Sequence, residues 1–239
     1  MGSKRVLAKW LDNIWYKQSA WGILFYPLSG LYRLVFQWQK QRALKARVNA
    51  APVSVPVIVV GNITVGGTGK TPLTLALLEL LEAWGWQPGV ISRGYGARPP
   101  HLPYQVSKDD KPEFAGDEPL LIRRQSGCPV VVDPNRQQAL ACLVKNLPCN
   151  IVISDDGLQH HRLARDLEIV VIDGQRRLGN GRCLPAGPLR EPASRLDTVD
   201  FVVSNGSRIP EALYSFSLRP VCFAEVGGSR TLALSAFSG

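Results

Sequence analysis

Gly66, Gly67, Gly69, Lys70 and Thr71 are the residues of this 239-residue chain best suited to handling a phosphate. They stand together in Gly61-Asn62-Ile63-Thr64-Val65-Gly66-Gly67-Thr68-Gly69-Lys70-Thr71. Glycines let the backbone wrap around phosphate oxygens with its N–H groups turned inward, and a helix starting at the end of the loop adds its positive pole. Lys70 is expected to neutralise β- and γ-phosphate charge and the Thr71 hydroxyl to hold Mg²⁺. Thr64, Val65, Gly66, Gly67, Thr68, Gly69, Lys70 and Thr71 therefore read as a nucleotide loop. The first glycine of the G-x-x-x-x-G-K-[ST] pattern is Thr64 here. Val65 stands where the glycine-pair variety of this loop often carries a further lysine.

Such a loop needs a carboxylate at the end of a neighbouring strand to organise the metal and its waters. Asp155 and Asp156 follow the apolar run Ile151-Val152-Ile153. Adjacent carboxylates repel, and a nearby cation is the simplest reason to keep both. His160 and His161 follow closely; His160 is open between touching the site and a structural role. Asp117 and Glu118, in Gly116-Asp117-Glu118-Pro119, precede an apolar helical pattern. On spacing alone they favour a helix cap, with a base for an acceptor hydroxyl as the other reading. The segment from Arg176 to Pro192 is long for a structureless loop, which suits function, and its arginines suit phosphate.

The elements that must position these residues alternate. Val57–Val60, Val90-Ile91, Val130–Val132, Ile151–Ile153, Ile169–Ile172 and Phe201–Val203 read as buried strands. Helical patterns fall at Pro72–Trp84, 117–126 and 136–146. Strands alternating with helices predict a mostly parallel, doubly wound α/β sheet of the P-loop NTPase type. Ligands of such sheets collect at the carboxyl ends of the strands, where the polar motifs fall.

Apolar residues make up 45% and charged residues 20%, as in a folded globular chain rather than a disordered one. The net charge of +9 is uneven: residues 1–50 hold nine Lys/Arg and one Asp, the remainder 19 basic and 18 acidic residues. Residues 1–50 also hold nine of the 19 aromatics. Leu7, Trp10, Leu11, Ile14 and Trp15 share one helical face. The uncharged stretch Gln18–Tyr32 is interrupted by Gly22, Pro27 and Gly30 and is too short to span a bilayer. The segment reads as a basic, Trp-rich membrane-interface element, against the alternative of a helical pair packed on the core. No groove-reading or single-strand module is present, so nucleic acid is not expected as a partner. The five cysteines lack CxxC spacing and read as reduced packing residues.

Taken jointly, the basic aromatic N-terminus, Gly61–Pro72, Ser92–Gly96, Gly116–Pro119, Asp155–His160 and Gly179–Pro192 resemble the tetraacyldisaccharide 4′-kinase family, the lipid A 4′-kinases of Gram-negative bacteria. The likeness runs to about residue 206. It implies ATP- and Mg²⁺-dependent phosphorylation of the 4′-hydroxyl of a tetraacylated glucosamine disaccharide 1-phosphate. It further implies a peripheral position on an anionic membrane, at the cytoplasmic face of the inner membrane. It makes Thr64 to Thr71 the ATP loop, gives a catalytic role to Asp117, a place near the metal to Glu118 and Asp156, and a closing-loop role to Arg190 and Glu191. Beside these, Lys70 stands as catalytic and Thr71 as a metal ligand from their loop positions, and Asp155 and His160 as substrate-side candidates from theirs. The corresponding organisation is a membrane segment 1–50, a kinase core 51–206, and connecting strands opening a second domain at 207–239.

The family's aspartate works with a histidine from a further C-terminal segment, and this sequence has no histidine after His161. The expectation is a fragment or a truncated product that holds ATP but phosphorylates lipid poorly. Two other classes fit parts of the pattern. A regulatory P-loop NTPase should carry an [NT]-K-x-D motif after a late strand, and only Ser107-Lys108-Asp109-Asp110, after an early one, comes near. A non-catalytic, membrane-docked nucleotide-binding protein would need only the loop and the N-terminal segment.

Overall fold

The computed structural model describes residues 10–17, 20–48, 54–219, 222–224 and 231–233. Its centre is an eight-stranded sheet. The strands are β1 (Val57–Gly61), β2 (Pro88–Ser92), β3 (Tyr104–Gln105), β4 (Val130–Val132), β5 (Ile151–Asp155), β6 (Leu167–Asp173), β7 (Phe201–Asn205) and β8 (Tyr214–Phe216), in the order β3-β4-β2-β5-β1-β6-β7-β8. All neighbours pair in parallel except β3 with β4, so the expected mostly parallel α/β sheet is present.

β1 is an unbroken apolar run because both of its faces are covered. Val57 and Val59 enter the layer shared with Leu140 and Leu143. Val60 enters the opposite layer with Leu78, Leu81, Leu120 and Ile122. The helices of those layers are α3 (Lys70–Ala83) and α5 (Asp117–Ser126) on one side and α6 (Arg136–Asn146) on the other; the short α4 (Pro112–Ala115) precedes α5. Pairing β1 directly with β5, Val60 opposite Asp155, sets the glycine-rich loop beside the aspartate pair. That juxtaposition creates the site.

Two expectations need adjusting. The helix expected from Pro72 already begins at Lys70, because Gly69 makes the left-handed turn with φ 91° that lets the helix open there. The connecting strands expected within 207–239 divide: β8 pairs in parallel with β7 and extends the main sheet past residue 206, while β9 (Cys222–Ala224) and β10 (Thr231–Ala233) form a separate antiparallel pair.

The N-terminal segment is helical over residues 10–16 (α1), followed by a 3₁₀ turn at Ala20–Phe25 and a long helix α2 (Tyr26–Val48). Leu7 lies outside the described residues. Of the helical face expected to meet a membrane, Ile14 and Trp15 are instead buried against the protein. The Trp15 indole N–H donates to the Pro185 carbonyl at 3.0 Å, and the Asn180 backbone N–H donates to the Trp15 carbonyl at 2.8 Å. α2 docks through Ser29, Tyr32 and Phe36. The Ser29 hydroxyl donates to the Cys183 carbonyl at 2.9 Å and accepts from the Ala186 N–H at 3.0 Å. Its outward side leaves Leu28, Leu31, Leu34, Val35 and Trp38 exposed, with Leu24 of the preceding turn. Among the described residues no helix is long and apolar enough to cross a membrane.

Candidate active site

The glycine-rich loop leaves the C-terminal end of β1 and is pinned at its start. Thr64 is buried and bridges Leu189, and the Val65 N–H donates to the Pro188 carbonyl at 2.8 Å. The loop then opens outward at Gly66 and Gly67, both exposed. A side chain on Gly67 would meet no atom within 4 Å, so free space lies over that residue, whereas one on Gly66 would meet the Arg176 guanidinium at 3.0 Å. Lys70 and Thr71 form the first turn of α3, at its positive end.

Lys70 Nζ lies 3.4 Å from Asp156 Oδ1. Its side chain is only 11% exposed, which strengthens the charge pairing relative to a surface pair. Asp155, the last residue of β5, is fully buried and accepts from the Thr74 hydroxyl at 3.3 Å through Oδ1. Burial, with the nearby carboxylates of Glu118 and Asp156, pushes the Asp155 carboxyl up to about 6, while Lys70 and the Thr74 hydrogen bond oppose the rise. Its Oδ2 has no hydrogen-bond partner. Asp156 takes the left-handed conformation, φ 50°, and is half-buried, with Oδ2 3.7 Å from Arg190 Nη1.

Asp117 and Glu118 occupy the exposed first turn of α5. Gly116 is the N-cap and no side chain caps the helix; the two acids complement the helix dipole without tying up their oxygens. A side chain on Gly116 would press on the Tyr95 carbonyl at 3.3 Å, so Asp117 starts beside the Ser92–Gly96 turn. Glu118 is close enough to Asp155 to act on its charge.

His160 lies among Arg136, Arg93 and Asp156, and burial together with the two arginines brings its imidazole down to about 4, leaving it neutral. His161 points away and meets Phe36 of α2 edge-on at 5.8 Å. Arg190 is held by its backbone: its N–H donates to the Ile63 carbonyl at 2.7 Å and its carbonyl accepts from the Tyr32 hydroxyl at 2.9 Å. Glu191 is fully buried behind the site rather than in it. It accepts from the Gln159 side-chain amide at 2.8 Å and lies 3.3 Å from Arg195 Nε, and burial raises its carboxyl.

Three further residues belong to the arrangement. Arg136, buried at the start of α6, donates to the Asp133 and Asp155 carbonyls at 3.0 and 3.2 Å. Arg176 reaches the Gly67 carbonyl and pairs with Asp173. The Asn205 amide donates to the Thr68 carbonyl at 3.2 Å. The remaining arginines of the 176–192 segment go elsewhere: Arg177 pairs with Glu211, and Arg182 stacks on Tyr26. Between α2 and the start of α6 opens a cleft of about 990 Å³, lined by Phe36, Arg136, His160 and Arg190 among others; His160 and Arg190 are the site candidates that reach it.

Among the described residues no three His, Cys, Asp or Glu side chains converge as a closed metal cage. Mg²⁺ does not require one, since it usually takes one or two carboxylates with substrate phosphates and waters. Thr71, Asp155, Asp156 and Glu118 are hard oxygen donors, and the unpartnered buried oxygen of Asp155 fits that ion.

Residues 21–231 match the family model described as LpxK: Tetraacyldisaccharide-1-P 4′-kinase. The chain is 49% identical over 232 residues to the tetraacyldisaccharide 4′-kinase of Azotobacter vinelandii, covering 97% of this chain and 70% of that protein. It is 50% identical over 236 residues to that of Pseudomonas paraeruginosa, covering 98% and 70%. A crystal structure of LpxK from Aquifex aeolicus in complex with ATP superposes with a TM-score of 0.65 at 31% identity; the match covers 77% of this chain but 58% of that one. With the glycine-rich loop, the aspartate pair and Arg190 drawn to one end of the sheet, the chain belongs to the tetraacyldisaccharide 4′-kinase family.

Proposed function

We propose that this chain transfers the γ-phosphoryl group of ATP to the 4′-hydroxyl of a tetraacylated glucosamine disaccharide 1-phosphate, at the cytoplasmic face of the inner membrane. The observation that carries the reading is the 3.4 Å approach of Lys70 to Asp156 across the β1–β5 junction. It sets a phosphate-loop cation, a helix N-terminus and the strand-end carboxylates around one exposed spot.

The transfer is an in-line displacement. The sugar oxygen bonds to the γ-phosphorus, the bond from that phosphorus to the β,γ-bridging oxygen breaks, and ADP leaves with the electron pair. Asp117 takes the hydroxyl proton. Loop amides from Gly66 to Thr71 and the Lys70 ammonium stabilise charge on the phosphoryl oxygens. Thr71, Glu118, Asp156 and Asp155 would hold Mg²⁺, which when bound neutralises phosphate charge. Arg190, tethered through Ile63 and Tyr32, stands between the loop and the 990 Å³ cleft, where a sugar headgroup can reach it.

The exposed stripe of α2 supports peripheral membrane docking of residues 1–50. Leu28, Leu31, Val35 and Trp38 follow the i, i+3, i+7, i+10 spacing of one face, opposite Ser29, Tyr32 and Phe36. Burying each in lipid is worth about 1–2 kcal/mol.

Incubating the chain with γ-labelled ATP and the lipid acceptor in mixed micelles tests the chemistry. Lys70→Ala should lower transfer by about 10³-fold while the chain remains folded by circular dichroism; transfer that survives would sink the phosphate-loop assignment. Flotation with vesicles tests docking: Leu31→Asp with Leu34→Asp should abolish it, and undiminished flotation would remove the role of α2.

A further inference from the structure

A second cavity, of about 360 Å³, lies on the other flank of α2 from the 990 Å³ cleft. One wall is the first half of α2, with Tyr26, Ser29, Gly30 and Arg33; the other is Gly181, Arg182 and Cys183, closed below by Pro192 and Ala193. The walls are fastened to each other, since the Ser29 hydroxyl bonds the Cys183 carbonyl and the Ala186 N–H.

Its charge is one-sided. Arg33 and Arg182 both line it, and no acidic side chain does. Neither arginine forms a salt bridge among the described residues. The Arg182 guanidinium lies 3.7 Å over the Tyr26 ring, which fixes its plane while leaving its N–H edge available. Two unpaired guanidinium groups facing one cavity repel each other until an anion comes between them. Planar forks of this kind match phosphate oxygens.

Position on the helix identifies the anion. Gly30 and Leu34 are one turn apart, so the cavity borders the exposed stripe formed by Leu31, Leu34 and Trp38. An anion held there by a molecule whose tails lie along that stripe is the phosphate of a bilayer lipid. We propose that this cavity seats the phosphate of an anionic phospholipid headgroup, gripped by Arg33 and Arg182. The proposal rests on the docking of α2 described above; it assigns a shaped headgroup site separate from the kinase site.

Partitioning of the full chain onto vesicles of phosphatidylcholine alone, or with a minority of phosphatidylglycerol, tests it. Replacing both Arg33→Gln and Arg182→Gln should lower partitioning onto the anionic vesicles by about 30-fold and leave the neutral ones unchanged. Gly30→Gln keeps every charge but fills the cavity, and its added Cβ meets nothing within 4 Å, so the fold is retained. It should remove most of the same preference, with a melting curve at or above that of the parent. An unchanged preference in Gly30→Gln, beside a loss in the arginine pair, would mean diffuse attraction and overturn the site. Release from anionic vesicles by millimolar soluble glycerol phosphate would make the occupant a free phosphate ester and overturn the lipid assignment. Failure of the parent to partition onto either vesicle would overturn the docking of α2 itself.

Discussion

The side-chain amide of Gln159 donates to the Glu191 carboxylate at 2.8 Å and to the Asn62 carbonyl at 3.0 Å. One amide thus ties together three segments that lead to the phosphate loop, to His160 and to Arg190. Glu191 in turn faces Arg195, whose guanidinium contacts both oxygens of Glu168 at 2.6 Å. Removing this buried carboxyl leaves Gln159 and Arg195 without their partner, so Glu191→Ala should cost about 3 kcal/mol of stability. It should also release Arg190 and slow phosphoryl transfer by about 10²-fold, the usual penalty for a small misplacement. Glu191→Gln, which keeps the shape and the acceptor oxygen, should restore most of the activity. Denaturant melts alongside turnover check both parts; equal losses in the two variants would tie the effect to charge rather than to position.

Gly67 and Gly69 make opposite demands. A side chain at Gly67 enters open space, whereas at Gly69 it would come within 2.5 Å of the Asn205 amide on a backbone with φ 91°. Gly67→Ala should therefore leave the melting temperature unchanged and weaken ATP binding about tenfold, because the methyl occupies room intended for phosphate oxygens. Gly69→Ala should lose about 2 kcal/mol of stability as well. Adding Asn205→Ala should relieve the clash and leave the strain. Calorimetry of nucleotide binding beside thermal melts separates the two glycines.

The local parts of this site were legible because local rules create them. Val57–Val60 had to be a buried strand, the glycines had to turn, and Asp117 had to open a helix after Gly116. Arg136, Arg176 and Asn205 were not legible, since their roles depend on which strands lie side by side. Arg136 holds the end of β5 only because β4 and β5 flank β2, and Asn205 reaches Thr68 from β7, more than a hundred residues away in the chain. The burial of Ile14 and Trp15 was not legible for a related reason. Ile14 and Trp15 have the right spacing, but the 176–192 segment covers them, and Gly22, Pro27 and Gly30 obscured the longer stripe of α2.

The Tyr32 hydroxyl joins α2 to the Arg190 carbonyl at 2.9 Å and so links that helix directly to the segment that presents Arg190 to Asp156. Tyr32→Phe leaves that carbonyl unpaired and should cost about 1 kcal/mol. If α2 steadies Arg190 for the lipid headgroup, the KM for the lipid acceptor should rise severalfold and the KM for ATP should not move. A parallel rise in both would show a general loosening of the core.

His161 sits where α2 meets the core, against Phe36, with Arg165, Lys40 and Arg195 on one side of its charge balance and Glu168 on the other. Burial and the three cations bring its imidazole from 6.5 down to about 3. The folded state therefore binds this proton less readily than the unfolded chain, and stability from the neutral ring is complete above pH 6.5. It declines as the pH falls from 6.5 toward 3, because the unfolded chain takes up the proton first. Between pH 6.5 and 5 the loss from this residue should be about 1–2 kcal/mol. His161→Gln should flatten that part of the profile while costing some stability at pH 8 through lost packing on Phe36. His160, brought down to about 4, keeps the variant from becoming fully insensitive. Urea melts at pH 5, 6.5 and 8 measure the slope directly; identical slopes in parent and variant would mean that His161 takes up its proton equally readily in the folded and the unfolded chain.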